Sequence, residues 1–169
     1  SVCEAFRMLG KNPLHFGDDS FAGGEHKRRA LNNLKAGVSP IAGLDQFDVF
    51  LDYPTQIFYQ HAIERARDPE SIKTILLWRN PYEVAWSFSK MALLQNRRPE
   101  TFRQKSVFEG EKPWTNFSYL NLVRRTEEMY DDVLNYFIDR PQLPFAMMDV
   151  SGGDGWGFLN KFVGTEILD

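Results

Sequence analysis

The sequence predicts an α/β fold, a three-layer sandwich in which helices cover both faces of a central parallel sheet. Apolar runs of five or six residues alternate with longer stretches of helical periodicity, and parallel strands need such crossover helices to return the chain. Each run is bounded by turn or polar residues and is almost continuously apolar, as suits a strand covered on two sides. A length of 169 residues with 43% hydrophobic content is enough for one domain over 1–169 with a real core.

The elements follow in order. Val2, Ala5, Phe6 and Leu9 recur at helical spacing and Gly10 supplies a left-handed terminator, which predicts a first helix over 1–9. A turn-rich stretch with Pro13, Gly17, Gly23 and Gly24 leads to a polar surface helix over 25–35, ended by Gly37. FDVFL at 47–51, closed by Asp52, Tyr53 and Pro54, reads as a strand, and the next helix takes 55–67. TILLW at 74–78 repeats the strand signal, and Pro81 stands where a first helical turn tolerates proline, leading a helix towards Gln95.

Tyr119, Leu122, Val123, Met129, Val133, Leu134 and Phe137 then form the stripe of the longest helix, over 116–140, which Pro141 stops. FAMMDV at 145–150 is the third strand. Asp154 is expected to cap a last helix whose Trp156, Leu159, Phe162 and Val163 face inward. Ligands of parallel sheets bind at the carboxyl ends of the strands. Asp52, Arg79 and Asp149 are all placed at strand ends, so one shared rim is the expected site.

Composition narrows the partners. With a net charge of −3 and basic residues only in scattered pairs, no continuous stripe follows a polymeric nucleic acid, whereas a small anion needs only a few donors. No apolar run approaches the ~20 residues that cross a bilayer. Cys3 is the sole cysteine, which excludes an intrachain disulfide and leaves the compartment open; the cytoplasm is favoured, with the Golgi lumen the alternative were an anchor to precede the chain. His26 and His61 have no acidic or cysteine partners at ligand spacing, and no metal is predicted.

The most informative stretch is Trp78-Arg79-Asn80-Pro81-Tyr82-Glu83-Val84-Ala85-Trp86-Ser87. An arginine at a strand end, followed by a helix opening on proline, aims a guanidinium fork and helix N-terminal amides at one place, and an oxyanion is held well there. The plain alternative is a surface arginine beside the sheet and a serine lost on a helix. RNPYEVAWS resembles the sulfotransferase motif in which arginine, proline two residues on and serine eight residues on bind the 3'-phosphate of 3'-phosphoadenosine 5'-phosphosulfate (PAPS); Arg79 and Ser87 take those positions.

Two further segments agree in chain order. Val49-Phe50-Leu51-Asp52-Tyr53-Pro54 resembles a second-strand ending where the family places a catalytic histidine or acid, which makes Asp52 the candidate base; its other reading is a cap on the next helix. Asp149-Val150-Ser151-Gly152-Gly153-Asp154-Gly155-Trp156, with Phe162-Val163-Gly164, is similar to the G-D-G-W ending of one sulfotransferase branch. Ser1, Ala5, Leu9 and Gly10 fit the helix that follows the family's phosphosulfate loop. The resemblance therefore makes Ser1 a cofactor contact and places the loop, with the first strand, upstream of this chain.

The implied architecture is P-loop NTPase-like, and the implied activity is sulfuryl transfer from PAPS to a hydroxyl or amine of a small-molecule, lipid or carbohydrate acceptor. His15 is a second catalytic candidate near the cleft or a structural histidine; Trp86 either stacks on adenine or packs in the core; Asp149 orients a loop, closes the site or caps a helix. A P-loop kinase and a non-catalytic nucleotide- or partner-binding relative are the competing functions. An upstream G-x-x-x-x-G-K-[ST] loop would distinguish the kinase.

Overall fold

The computed structural model describes residues 2–16, 21–51, 55–95, 116–149 and 151–164. They form a mixed α/β protein with six helices, a short 3-10 turn at Pro69–Ser71 and two small parallel sheets of two strands each. In chain order the elements are α1 Val2–Met8, β1 Pro13–His15, α2 Phe21–Lys35, β2 Val49–Leu51, α3 Thr55–Glu64, β3 Thr74–Trp78, α4 Pro81–Gln95, α5 Asn116–Ile138, β4 Phe145–Asp149 and α6 Trp156–Val163. The predicted strand-helix alternation is therefore present. No helix among the described residues is long and apolar enough to cross a membrane.

The chain divides into two compact units. The first holds α1, β1, α2, β2, α3 and α6. Its α1 ends as Gly10 enters the left-handed region at φ 70°, and the Lys11 amide reaches back to the Phe6 carbonyl at 3.0 Å, closing the last turn. Strand β1 then pairs in parallel with β2, Leu14 opposite Phe50 and His15 opposite Leu51. Phe16 and Phe58 meet edge to face at 5.8 Å in a core completed by Leu14, Ala30, Leu44 and Ala62. Loop 39–44 is tied to α2, Arg29 and Asn33 donating to the carbonyls of Gly43 and Ala42 at 2.9 and 3.0 Å.

The second unit carries α4, α5, β4 and β3 from Ile75 onward. Ala85, fully buried, lets α4 approach α5 closely against Leu122, Val123 and Tyr119. Phe137 stacks on Phe145 at 4.3 Å, seating the end of α5 on the start of β4.

Several boundaries correct the sequence reading. Strand β1 falls in a stretch read as turns: it is three residues long and opens on proline, whose missing N–H is harmless at a strand start. Helix α2 begins four residues early, taking Gly23 and Gly24 into its first turn. Helix α3 stops at Glu64, where the chain tightens, the Ala66 amide bonding Ile63, ahead of Asp68-Pro69. Asp154 does not cap α6; Gly155 holds that place without a side-chain bond, and Trp156 is exposed rather than inward. In the second sheet Leu76 and Met148 are buried, but Leu77 and Met147 are exposed, so these strands are not covered throughout.

Candidate anion site at the end of the third strand

Residues 78–84 make the strand-to-helix junction that the sequence singled out. Pro81 opens α4 and Asn80 caps it: the Asn80 Oδ1 accepts from the Tyr82 amide at 2.9 Å, and its carbonyl accepts from the Val84 amide at 3.0 Å. Arg79 lies between the last strand residue and the cap, a gap in which no backbone group among the described residues bonds its N–H or C=O. Tyr130, from α5, fills that gap. Its hydroxyl accepts from the Arg79 amide and donates to the Arg79 carbonyl, both at 3.1 Å, and the residue is only 7% exposed. Tyr119, three turns earlier on α5, donates to the Tyr82 carbonyl at 3.0 Å. The junction is thus held from α5 at two points.

Burial raises the Tyr130 hydroxyl above the ordinary tyrosine pKa, against the opposing pull of its bond to the Arg79 backbone and of the Arg79 charge. The hydroxyl therefore stays protonated near neutrality and can keep both bonds. The contribution is fully present below the ordinary tyrosine range and is lost only as pH rises through the raised value.

With its backbone held, Arg79 presents its side chain at the surface. The guanidinium is about half exposed, and its Nε donates to the Glu83 carboxylate at 3.2 Å. Ser87 is exposed one turn beyond Glu83, so Arg79, Glu83 and Ser87 line one side of the helix start. Trp86 is 58% exposed, which removes the core-packing alternative; the Lys90 ammonium lies 5.2 Å from its ring centroid. An exposed guanidinium fork and a hydroxyl on one side of the helix start can hold a small anion.

Asp149 ends β4, and parallel pairing puts it at the same sheet edge as Arg79. Its carboxylate is committed to the loop that follows: Oδ1 accepts from the Gly152 amide at 2.7 Å, while the Asp149 amide donates to the Asp154 Oδ2 at 2.7 Å. A Cβ at Gly152 would lie 2.5 Å from the Asp149 carboxylate, and Gly153 has φ 106°, so both glycines are required by the turn. Asp149 thus orients the loop that follows it.

His15 is exposed at the end of β1, in the first unit, in register with Leu51. Asp52, the residue after Leu51, and Ser1 lie outside the described residues. His61, read without an acidic neighbour, has Glu64 at 3.9 Å one turn on; no group of three or more potential metal ligands occurs among the described residues.

Tyr130, Tyr119 and Glu83 were missed as parts of the junction. The signal for Tyr130 was available: positions 119, 123, 126, 130, 133 and 137 continue one helical stripe, and a tyrosine on a buried stripe must find a partner for its hydroxyl. Comparison of the chain with family models, curated proteins and solved structures finds no match.

Proposed function

We propose that this protein is a PAPS-dependent sulfotransferase, acting on a hydroxyl or amine of a small-molecule, lipid or carbohydrate acceptor. The observation that carries the proposal is Arg79: a half-exposed guanidinium on a backbone held at the carboxyl end of a parallel strand, directly before an asparagine-capped helix that bears Ser87. In this reading Arg79 and Ser87 take the ribose 3'-phosphate, and the exposed Trp86 ring stacks on the adenine. The architecture that goes with this reading is a P-loop NTPase-like three-layer sandwich with a central parallel sheet.

Sulfuryl transfer is an in-line displacement akin to phosphoryl transfer, in which positioning and charge stabilisation dominate. The acceptor still has a proton to lose. Asp52 is assigned as the base that takes it, a role worth about 10²- to 10⁴-fold in rate, with His15 as the second candidate on the paired strand.

The test is thermal melting of the intact protein with adenosine 3',5'-bisphosphate. At a hundredfold excess over Kd, binding adds about 2.7 kcal/mol and raises the melting temperature by several degrees. Arg79→Ala should abolish the shift. A wild-type protein that melts at one temperature with and without the nucleotide contradicts the proposal.

A further inference from the structure

We infer that Tyr130 is a positioning residue for anion binding: its single buried hydroxyl holds both backbone groups of Arg79 and so fixes the point from which the guanidinium reaches its ligand. The inference rests on the nucleotide reading above and names a residue, 51 positions downstream, on which that reading depends.

The argument begins with the backbone. A residue between a strand and a helix loses the ladder on one side and has no helical turn on the other, so its N–H and C=O need partners from outside. At Arg79 both partners are one group, the Tyr130 hydroxyl, which has one proton to donate and lone pairs to accept with. Holding N–H and C=O together fixes the peptide planes on both sides of the Arg79 Cα. The side chain itself is restrained only by an exposed pair with Glu83, which a multiply charged phosphate can displace at little cost. Pose is therefore set at the backbone, and α5 supplies the reference: Tyr130 at Arg79, Tyr119 at Tyr82, and Leu122 and Val123 against Ala85 between them.

Tyr130→Phe isolates this role, because it keeps the ring on the buried stripe and removes only the hydroxyl. The intact protein is titrated calorimetrically with adenosine 3',5'-bisphosphate and with adenosine 5'-monophosphate, which lacks the 3'-phosphate, in the wild type, Tyr130→Phe, Arg79→Ala and the double variant. The expected result is that Tyr130→Phe loses roughly tenfold of the preference for the bisphosphate, leaves the affinity for the monophosphate unchanged and adds nothing to the loss in Arg79→Ala. Equal losses for both nucleotides, or losses that add to those of Arg79→Ala, reduce Tyr130 to a structural residue and overturn the inference.

If the wild type prefers the bisphosphate and Tyr130→Phe keeps that preference in full, the inference alone fails. A wild type that binds the two nucleotides equally defeats the nucleotide reading instead. Amide hydrogen exchange gives a check that needs neither ligand nor variant folding. The Arg79 amide should be protected in the wild type, and exchange there as fast as in an exposed loop rejects the clamp.

Discussion

The two units are each built on a pair of parallel strands, yet they use their polar side chains in opposite ways. In the first unit polar side chains close the chain on itself: Asn12 donates to the Gln46 carbonyl at 2.7 Å, the Asn12 amide donates to Asp48, and Arg29 and Asn33 tie down loop 39–44. Arg29, itself exposed, gives one guanidinium N–H to that closure. In the second unit the strand end is held by a buried tyrosine from another helix, and the arginine there keeps its guanidinium at the surface. A cation is left for a ligand when some other residue satisfies the backbone around it.

The contrast can be broken or sharpened by substitution. The largest effect is expected in the first unit, where Phe58→Ala empties the contact with Phe16 and should cost about 3 to 5 kcal/mol in urea unfolding. A cost below about 1 kcal/mol would show that this core does not carry the unit. Next is Gly152→Ala, which forces the Asp149 carboxylate away from the Gly152 amide and should cost roughly 1 to 3 kcal/mol by the same measurement; a neutral variant would mean that the 149–154 turn is not fixed as described. The smallest is Glu83→Gln, which removes the negative charge beside Arg79 and leaves at most a weaker neutral acceptor. Affinity for adenosine 3',5'-bisphosphate should rise roughly two- to five-fold, and a fall would make Glu83 part of the site rather than its resting occupant.

What the sequence made legible follows from the range of the forces involved. The bounds of β3 and α4 agree with the sequence reading because Asn80 and Pro81 act within one turn, and the ends of α1 and α2 at Gly10 and Gly37 are equally local. Strand β1 was hidden because three residues carry no periodicity; it exists through pairing with β2, more than thirty positions away. At the candidate site, Arg79 and Ser87 stand within one short stretch that the sequence shows directly. Tyr130 could not be joined to them, since its bond spans 51 positions and depends on how α5 lies on α4. Asp154 misled for a related reason: an acid before a helix reads as a cap, but the Asp149 amide claims its carboxylate.

The central claim is that Arg79 receives the ribose phosphate. The most direct measurement follows the Arg79 side-chain Nε–H resonance in ¹⁵N-labelled protein, assigned by its loss in Arg79→Lys, during titration with adenosine 3',5'-bisphosphate. The expected result is a saturable shift as the Nε–H leaves Glu83 for the phosphate, with little response to adenosine 5'-monophosphate. A resonance that stays in place while the nucleotide binds, or that moves equally with both nucleotides, contradicts it.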